Sequence, residues 1–390
     1  MNKTANPRRV TSGGHNDSLM YFTSNSLLAD DSRLVFIRYA DGRHNLFMLD
    51  MASGRESQIT YFPDIAPNAS LIHGVRKNDF NVIHESSVVL YPQTGMLYFV
   101  RGRDICRYDL KGNGRVLAAL PPGRCTSCAH VSEDGAKFLI SSVDGRCFDR
   151  YDGSDSKVID EDVQRKKLDS YLHVFDTDTG EELLRETIRS AWVTHVQFNP
   201  MNDDEILYNH EWPSDCGVRR MWLFDGKRHI RLRTEGEGRS RDDWTCHEMW
   251  ERGTGNLIYH GTYKNNVSYI GRIAFCNPND RYDYTITEIP MPESYVKYGH
   301  FTVSNTNLLV TDGYYQEDGE EPGGCGKWIT VLKPDWDNET IEWHPLCRHG
   351  SNWDCQESHP HPVFSHAADS VYFNSNRDGL RAVYKMDVNI

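Results

Sequence analysis

Short runs of apolar residues, separated by turns rich in Asp, Asn and Gly, recur along the whole chain. One copy is SRLVFIRYADGRHNLFMLDMASGRESQIT, beginning at Ser32, and another begins at Val88. Each copy predicts an apolar strand, a turn, a second strand, and a third strand after a TG or DG turn. The unit appears about seven times, and successive copies begin about 40 to 60 residues apart. This spacing is typical of the four-stranded blades of a β-propeller.

The two ends of the chain predict how the ring of blades closes. The last copy, which begins at His361, has three strands at most. The segment SLMYFT, residues 18–23, is an additional strand-like run that can complete this blade and leave no exposed edge. We therefore predict an all-β fold, a seven-bladed β-propeller in one domain over residues 1–390. Its last blade is closed by an N-terminal strand inside residues 1–31, and the charged segment 146–170 is a loop or a short helix.

Composition supports strands and limits the class of partner. The chain has 30 Gly, 20 Tyr and 9 Trp, and its 38% hydrophobic content is compatible with a packed core. The net charge of -13 argues against a nucleic-acid-binding protein, because such proteins concentrate Lys and Arg. We find no apolar signal region and no run near the roughly 20 apolar residues that span a bilayer. We expect a cytoplasmic protein that does not bind membranes.

Histidines stand where the later copies begin. The first strands of propeller blades line the central channel, so residues that open the copies are expected to converge there. They are His195 and His210 in the fourth copy, His247 in the fifth, His300 in the sixth, and His359 and His361 in the seventh. Prolines at 360 and 362 favour an extended backbone, in which His359 and His361 point to the same side. Gln356 would reach in from the preceding turn.

This set of donors suits a divalent metal ion. Imidazole is a ligand for transition metals and an amide oxygen suits harder ions, so we expect Mn²⁺, with Fe²⁺, Co²⁺, Ni²⁺ or Zn²⁺ as competitors. The donors are all neutral, and the ion would keep its full charge for a substrate. From these residues alone, a polar H-x-H loop beside proline is an equally good interpretation.

Four segments resemble the oligogalacturonate lyases, cytoplasmic pectin-degrading enzymes with a seven-bladed propeller. The segments are QESHPHPVFS from Gln356, GHFTV from Gly299, CHEMW from Cys246, and HEWPSDCGVRRMW from His210. The resemblance covers nearly the whole chain, and its Q-x-x-H-x-H element is the most specific part. The chain departs from the family pattern at Trp212 and Pro213, where a Gly-Pro type sequence is common, and at Met249, where an aromatic residue is common.

The resemblance implies β-elimination in short galacturonate oligomers, chiefly the dimer and trimer, in a manganese-dependent reaction. The positions that it implies are His300, Gln356, His359 and His361 as metal ligands, His247 as the proton-abstracting base, Arg220 as an active-site arginine, and His210 as a substrate contact.

Elementary chemistry is consistent with these roles. Elimination removes the C5 proton next to a carboxylate, and a divalent ion can stabilise the resulting charge as a Lewis acid. A neutral imidazole with a pKa of about 6.5 can then act as the base, which suits His247. Arg220 can pair with a second carboxylate, so that an acidic protein binds an acidic oligosaccharide. Without the resemblance, a surface ion pair is the preferred interpretation of Arg220, and His247 could be a packed core residue.

Other functions remain open from the sequence. One is a lyase for a different uronic-acid oligosaccharide, and another is a non-catalytic propeller that binds a carbohydrate or a protein. A metal-dependent hydrolase is less favoured, because such sites usually add an Asp or Glu and this constellation contains neither. The oligomeric state, the roles of His15 and His195, and the choice between a solvated loop and a lid for residues 313–326 are not decided.

Overall fold

A computed structural model describes residues 6–65, 82–152, 156–211, 220–233, 244–277, 280–296, 298–317, 320 and 325–390. Within these residues the chain forms seven antiparallel sheets of four strands each, which confirms the predicted seven-bladed β-propeller. The first strand, β1, spans Arg8–Arg9 and belongs to the last blade.

Blades 1 to 3 use consecutive strands. Blade 1 contains β2 (Asn16–Ser18), β3 (Arg33–Ala40), β4 (Arg43–Asp50) and β5 (Glu56–Gln58). Blade 2 contains β6 (Val88–Tyr91), β7 (Met96–Arg101), β8 (Asp104–Tyr108) and β9 (Gly114–Ala119). Blade 3 contains β10 (Arg124–Val131), β11 (Lys137–Asp144), β12 (Ser170–Asp176) and β13 (Glu182–Ile188).

Blades 4 to 6 repeat this order, and blade 7 combines the two ends of the chain. Blade 4 contains β14 (Val196–Asn199), β15 (Asn202–Asn209), β16 (Met221–Phe224) and β17 (His229–Arg231). Blade 5 contains β18 (Trp244–Trp250), β19 (Leu257–Thr262), β20 (Ser268–Asn277) and β21 (Asp280–Pro290). Blade 6 contains β22 (Phe301–Val303), β23 (Leu309–Thr311), β24 (Trp328–Asp335) and β25 (Thr340–Arg348). Blade 7 contains β26 (Val363–Phe364), β27 (Ser370–Ser375), β28 (Ala382–Asp387) and β1.

Helical structure is short in the described residues. One α-helix, α1 (Lys157–Lys166), lies between β11 and β12, as predicted for the charged segment 146–170. Single 3₁₀ turns occur at Glu85–Ser87, Gly145–Phe148 and Gln356–Ser358. No helix in the described part of the chain has both the length and the apolar character needed to cross a bilayer.

The core lies between neighbouring blades because the second strand of each blade is apolar on both faces. In β3, Leu34 and Phe36 pack in a cluster with Val363 of blade 7. The alternate residues Val35 and Ile37 pack in a second cluster that includes residues of blade 2. A strand buried on both faces gives a nearly continuous apolar run, which is why these strands stand out in the sequence.

The N-terminal strand closes the ring, but the prediction that residues 18–23 form it is wrong. Strand β1 pairs with β28, with Arg8 opposite Lys385 and Arg9 opposite Tyr384. A short charged strand suits the outer edge of a blade, where one side faces solvent. The apolar residues Leu19–Phe22 are instead at most 2% exposed and lie at the centre of the ring, between the first two strands of blade 1.

Candidate metal centre and active site

Histidines from the inner edges of four blades converge, as the sequence predicted. His195, His300 and His361 lie just before the first strands of blades 4, 6 and 7, and His247 lies within β18. The ring centroids are 6.0 Å apart for His195 and His247, 4.5 Å for His247 and His300, and 4.3 Å for His300 and His361. All four side chains are at most 4% exposed.

Three of the predicted ligand residues form a compact group, which we call the histidine cluster: His300, His359 and His361. Each offers a ring nitrogen, and these three atoms all lie within 4.8 Å of one another. The amide nitrogen of Gln356 lies 3.4 Å from Nε2 of His361, and rotating the amide by half a turn would bring its oxygen to that position. The structure therefore places all four predicted ligands together.

The backbone of the H-x-H element differs from the extended conformation that we predicted. His359 is extended, with φ of -64° and ψ of 139°, but His361 has φ of +44° and is left-handed. This conformation is strained for a residue other than glycine. It allows the backbone N–H of His361 to donate to Oδ2 of Asp312 at 3.1 Å, ahead of strand β26.

Carboxylates lie directly behind the neutral donors, which the sequence did not predict. Asp312 accepts from Nδ1 of His300 at 3.0 Å, and Glu85 Oε1 lies 3.7 Å from Nδ1 of His361. Burial acts to raise the pKa of Asp312, but His300 outweighs it and lowers the pKa below its usual value. Burial raises the pKa of Glu85 well above its usual value. The arrangement fits a divalent metal ion, because an outer carboxylate commonly orients a metal-binding imidazole.

His247 is aimed by an irregularity in its strand. The pairing of β18 with β19 shifts between Cys246 and Met249, and His247 has φ of +50°. Such a bulge redirects a side chain out of the regular alternation of the strand. Burial, followed by the neighbouring His300 and other histidines, lowers the pKa of His247 well below its usual value. His247 is therefore neutral at neutral pH.

A second histidine and a tyrosine support His247 from behind. Nδ1 of His247 lies 2.7 Å from Nε2 of His260, and Nδ1 of His260 contacts the hydroxyl group of Tyr314. When Nδ1 of His247 donates to His260, Nε2 of His247 keeps its lone pair for accepting a proton. Both supporting side chains are fully buried.

Arg220 is buried and held by glutamates, so it is not the surface ion pair that we considered. It is 9% exposed, its Nε donates to Glu248 at 2.9 Å, and its Nη1 lies 3.4 Å from Glu211. Its Nη2 lies 3.0 Å from Nδ1 of His195. Burial acts to raise the pKa of Glu248, but Arg220 outweighs it and lowers this pKa. The pair is therefore ionised.

The N-terminal segment forms an aromatic floor beneath the histidines. The ring of Phe22 lies 5.2 Å from that of His247 and 5.5 Å from that of His300, and Tyr21 lies 5.0 Å from His361. The hydroxyl group of Tyr21 is 3.3 Å from Nε2 of His195. Phe22 also lines a cavity of about 70 Å³ that does not include the histidine cluster. The two rings thus pack against the histidines of three blades.

Three glycines allow backbone segments to meet beside His300. A Cβ atom on Gly313 would lie 2.1 Å from the carbonyl oxygen of Tyr298 and 2.6 Å from Cα of Gly299. A Cβ atom on Gly326 would lie 2.2 Å from Cα of Gly313. Distances below 3.0 Å are not tolerated, so glycine is required where these segments cross.

His210 is set apart from the other histidines in its contacts. Its ring stacks on Trp222 at 4.9 Å, its backbone N–H donates to the carbonyl oxygen of Arg220, and burial lowers its pKa to about 4. Met249, one departure from the family pattern, is 9% exposed and packs in the core with Tyr21 and Phe22. The other departure, at residues 212 and 213, lies outside the described residues, as does part of the 313–326 segment.

Asp312, His260 and the aromatic floor were not predicted from the sequence. The position of Asp312 could have been predicted from the hairpin of β22 and β23. This hairpin pairs Phe301 with Thr311, so the residues that flank it, His300 and Asp312, lie opposite each other. His260 pairs with Cys246, next to the predicted base. The floor has no comparable signal, since it is formed by irregular chain.

A family model for oligogalacturonate lyase matches residues 4–389. The chain belongs to the oligogalacturonate lyase family. An oligogalacturonide lyase of Pectobacterium atrosepticum is 25% identical over 377 residues, covering 93% of this chain and 88% of that protein. An oligogalacturonate lyase of Dickeya dadantii is 23% identical over 392 residues, with the same coverage of both.

Solved structures of the family have the same fold. An oligogalacturonate lyase in complex with manganese superposes with a TM-score of 0.74 at 23% identity, covering 98% of this chain and 92% of that one. The oligogalacturonate lyase of Vibrio parahaemolyticus gives a TM-score of 0.74 at 21% identity, covering 98% and 93%. Both similarities extend over almost the whole chain, in agreement with the predicted fold.

Proposed function

We propose that this protein cleaves short oligogalacturonides, such as di- and trigalacturonate, by metal-assisted β-elimination. The observation that carries the proposal is the adjacency of a neutral imidazole, His247, to the histidine cluster, with ring centroids 4.5 Å apart for His247 and His300. Abstraction of a proton next to a carboxylate needs a base to take the proton and a metal ion beside it to stabilise the negative charge. The similarity to lyases of that name supports the choice of substrate.

His300, His359, His361 and Gln356 would hold the metal ion. When bound, a divalent ion neutralises the negative charge on the substrate carboxylate. We propose Mn²⁺ because the set of three imidazoles and an amide oxygen suits it, and because a protein of the same fold is a manganese complex.

His247 would take the C5 proton at Nε2, the electron pair of the C5–H bond would form the C4–C5 double bond, and the C4–O bond would break, with the leaving oxygen taking a proton from water. His260 holds its Nδ1, so the ring cannot rotate freely and presents one nitrogen to the substrate. The lowered pKa of His247 keeps the ring unprotonated at neutral pH, and it can therefore accept a proton without first losing one.

Arg220 would bind a second carboxylate of the oligomer. Its Nε keeps the hydrogen bond to Glu248. A substrate carboxylate would therefore take the place of His195 as the partner of Nη2 and of Glu211 as the partner of Nη1. Glu248 then orients the guanidinium group of Arg220, and the two Nη atoms of that group bind the carboxylate of the sugar. The buried rings of the aromatic floor give the site an apolar side, which strengthens these charge interactions. We propose His210 as a more distant contact for the sugar.

The test uses chelator-stripped protein with di- and trigalacturonate, with and without Mn²⁺. The expected result is a metal-dependent rise in the ultraviolet absorbance of a double bond conjugated with a carboxylate. His247→Ala should abolish the rise while the bound metal content stays at the wild-type level. No rise with any divalent metal would refute the proposal, and the same assay on other uronates would then separate a different lyase from a binding propeller.

A further inference from the structure

We infer that Asp312 is a positioning residue that holds two metal-binding histidines from neighbouring blades in one geometry. The inference rests on the proposed metal role of His300 and His361. Asp312 is fully buried and follows β23 in blade 6, whereas His361 precedes β26 in blade 7. A single side chain therefore connects the metal-binding edges of two blades.

Both oxygens of Asp312 are used. Oδ1 accepts the backbone N–H of His300 at 2.6 Å. Oδ2 accepts Nδ1–H of the same histidine at 3.0 Å and the backbone N–H of His361 at 3.1 Å. Three hydrogen bonds to one carboxylate fix the backbone of both histidines and the ring of one of them.

These contacts decide which nitrogen of His300 can bind a metal ion. An ionised carboxylate only accepts hydrogen bonds, so Nδ1 of His300 must carry the proton. Nε2 then keeps its lone pair, which is the form that a metal ion requires. The tautomer of His300 is thus set before any ion arrives.

The contact with His361 offsets backbone strain. His361 is left-handed, with φ of +44°, and such a conformation in a non-glycine residue persists only when its surroundings hold it. The carbonyl oxygen of the next residue, Pro362, accepts from Thr302 of blade 6, and the hydrogen bond from the N–H of His361 to Asp312 is the contact from blade 6 to the strained residue itself. Without this bond, His361 would relax toward the extended conformation and its ring would move out of the histidine cluster.

Asp312 also places a negative charge next to His300 and His361, which are themselves neutral metal ligands, through hydrogen bonds to both. In a buried site this charge attracts a divalent cation more strongly than it would in water. Asp312→Asn removes the charge with little change in shape. It also replaces one acceptor by an amide N–H₂ donor, which favours the opposite tautomer of His300.

The experiment is isothermal titration calorimetry of Mn²⁺ into chelator-stripped protein. Asp312→Asn should weaken Mn²⁺ binding by about 10- to 100-fold, as is typical for residues that orient a metal ligand. The matched control is Asp17→Asn, which alters another fully buried aspartate, bonded to Arg38 at 2.7 Å in blade 1. This control should have a lower free energy of unfolding but the wild-type affinity for Mn²⁺.

The outcomes separate the inference from the proposed function. If the wild type binds neither Mn²⁺ nor another divalent transition-metal ion, both are wrong. If the wild type binds and Asp312→Asn binds within about threefold of it, or if both variants weaken equally, Asp312 has no positioning role. Should Asp312→Asn not fold, ¹⁵N NMR of the metal-free wild type decides: a proton on Nδ1 of His300 supports the inference, and one on Nε2 overturns it.

Discussion

The pair of His247 and His260 allows a quantitative prediction about the proposed base. His260→Phe removes the nitrogen that lies 2.7 Å from Nδ1 of His247 but keeps a ring of similar size. The site is lined by rings, with Phe301 and Tyr314 each centred 5.3 Å from His260, so a phenyl group fits. The fold should survive this change.

The expected loss of activity comes from the cost of an unsatisfied buried N–H. In the variant, the productive tautomer of His247 has no acceptor for its Nδ1–H, which costs about 1–3 kcal/mol. At 1.36 kcal/mol for each tenfold change, this corresponds to a decrease in kcat of about 5- to 150-fold. KM and the content of bound metal should change little, because the histidine cluster keeps all its donors.

The assay is the rate of absorbance increase with trigalacturonate in the metal-loaded variant. The matched control is Tyr259→Phe, which removes a buried hydroxyl group bonded to Glu288 from the adjacent residue of the same strand. This control should lose stability but keep its kcat. A folded, metal-loaded His260→Phe variant with wild-type kcat would falsify the idea that His260 orients the base.

Other regions give separate tests. Gly313→Ala should give little soluble protein and no Mn²⁺ binding by calorimetry in any that folds, because its Cβ would lie 2.1 Å from a carbonyl oxygen; normal expression and binding would contradict the close crossing of segments. Phe22→Ala should lower the free energy of unfolding by about 3–5 kcal/mol in urea denaturation, as expected for a large buried aromatic, and a loss below about 1 kcal/mol would show that the ring is not packed. Burial lowers the pKa of His173 to about 4, although Glu182 opposes this shift. Since its unfolded pKa is about 6.5, the unfolded chain binds the extra proton, and the free energy of unfolding should fall as pH drops from 6.5 to 4. His173→Phe should remove this part of the pH dependence in urea titrations at pH 7 and 5, and an unchanged slope would contradict the assignment.

The blades and the positions of the histidines could be predicted because they depend on local pattern and on one rule of the architecture. Strands such as β3 are apolar on both faces, so their periodic recurrence gave the number of blades. The rule that first strands line the channel then brought His247, His300 and His361 together, although they are far apart in the chain.

The remaining features depend on contacts that a pattern does not contain. A two-residue strand, Arg8–Arg9, has no periodicity, and the apolar run at 19–22 fits a strand and a buried floor equally well. The left-handed backbone of His361 arises from a bond to Asp312, which lies 49 positions earlier in the chain. Proline on both sides indicated a rigid segment, but it did not indicate the direction of the turn.

The N-terminal segment has a consequence for the order in which the protein is made. It supplies strand β1, which needs β28 as its partner, and the rings of Tyr21 and Phe22, which need histidines from blades 4 to 7. These residues leave the ribosome before blades 4 to 7, which hold their partners, are synthesised. A nascent chain that still lacks blade 7 therefore leaves strand β1 unpaired and the ring of Phe22 without His361 beside it, and it has no complete site. Activity would begin in one step, when residues 382–387 are released and the ring closes, and shortened chains that lack blade 7 would be inactive and prone to aggregate.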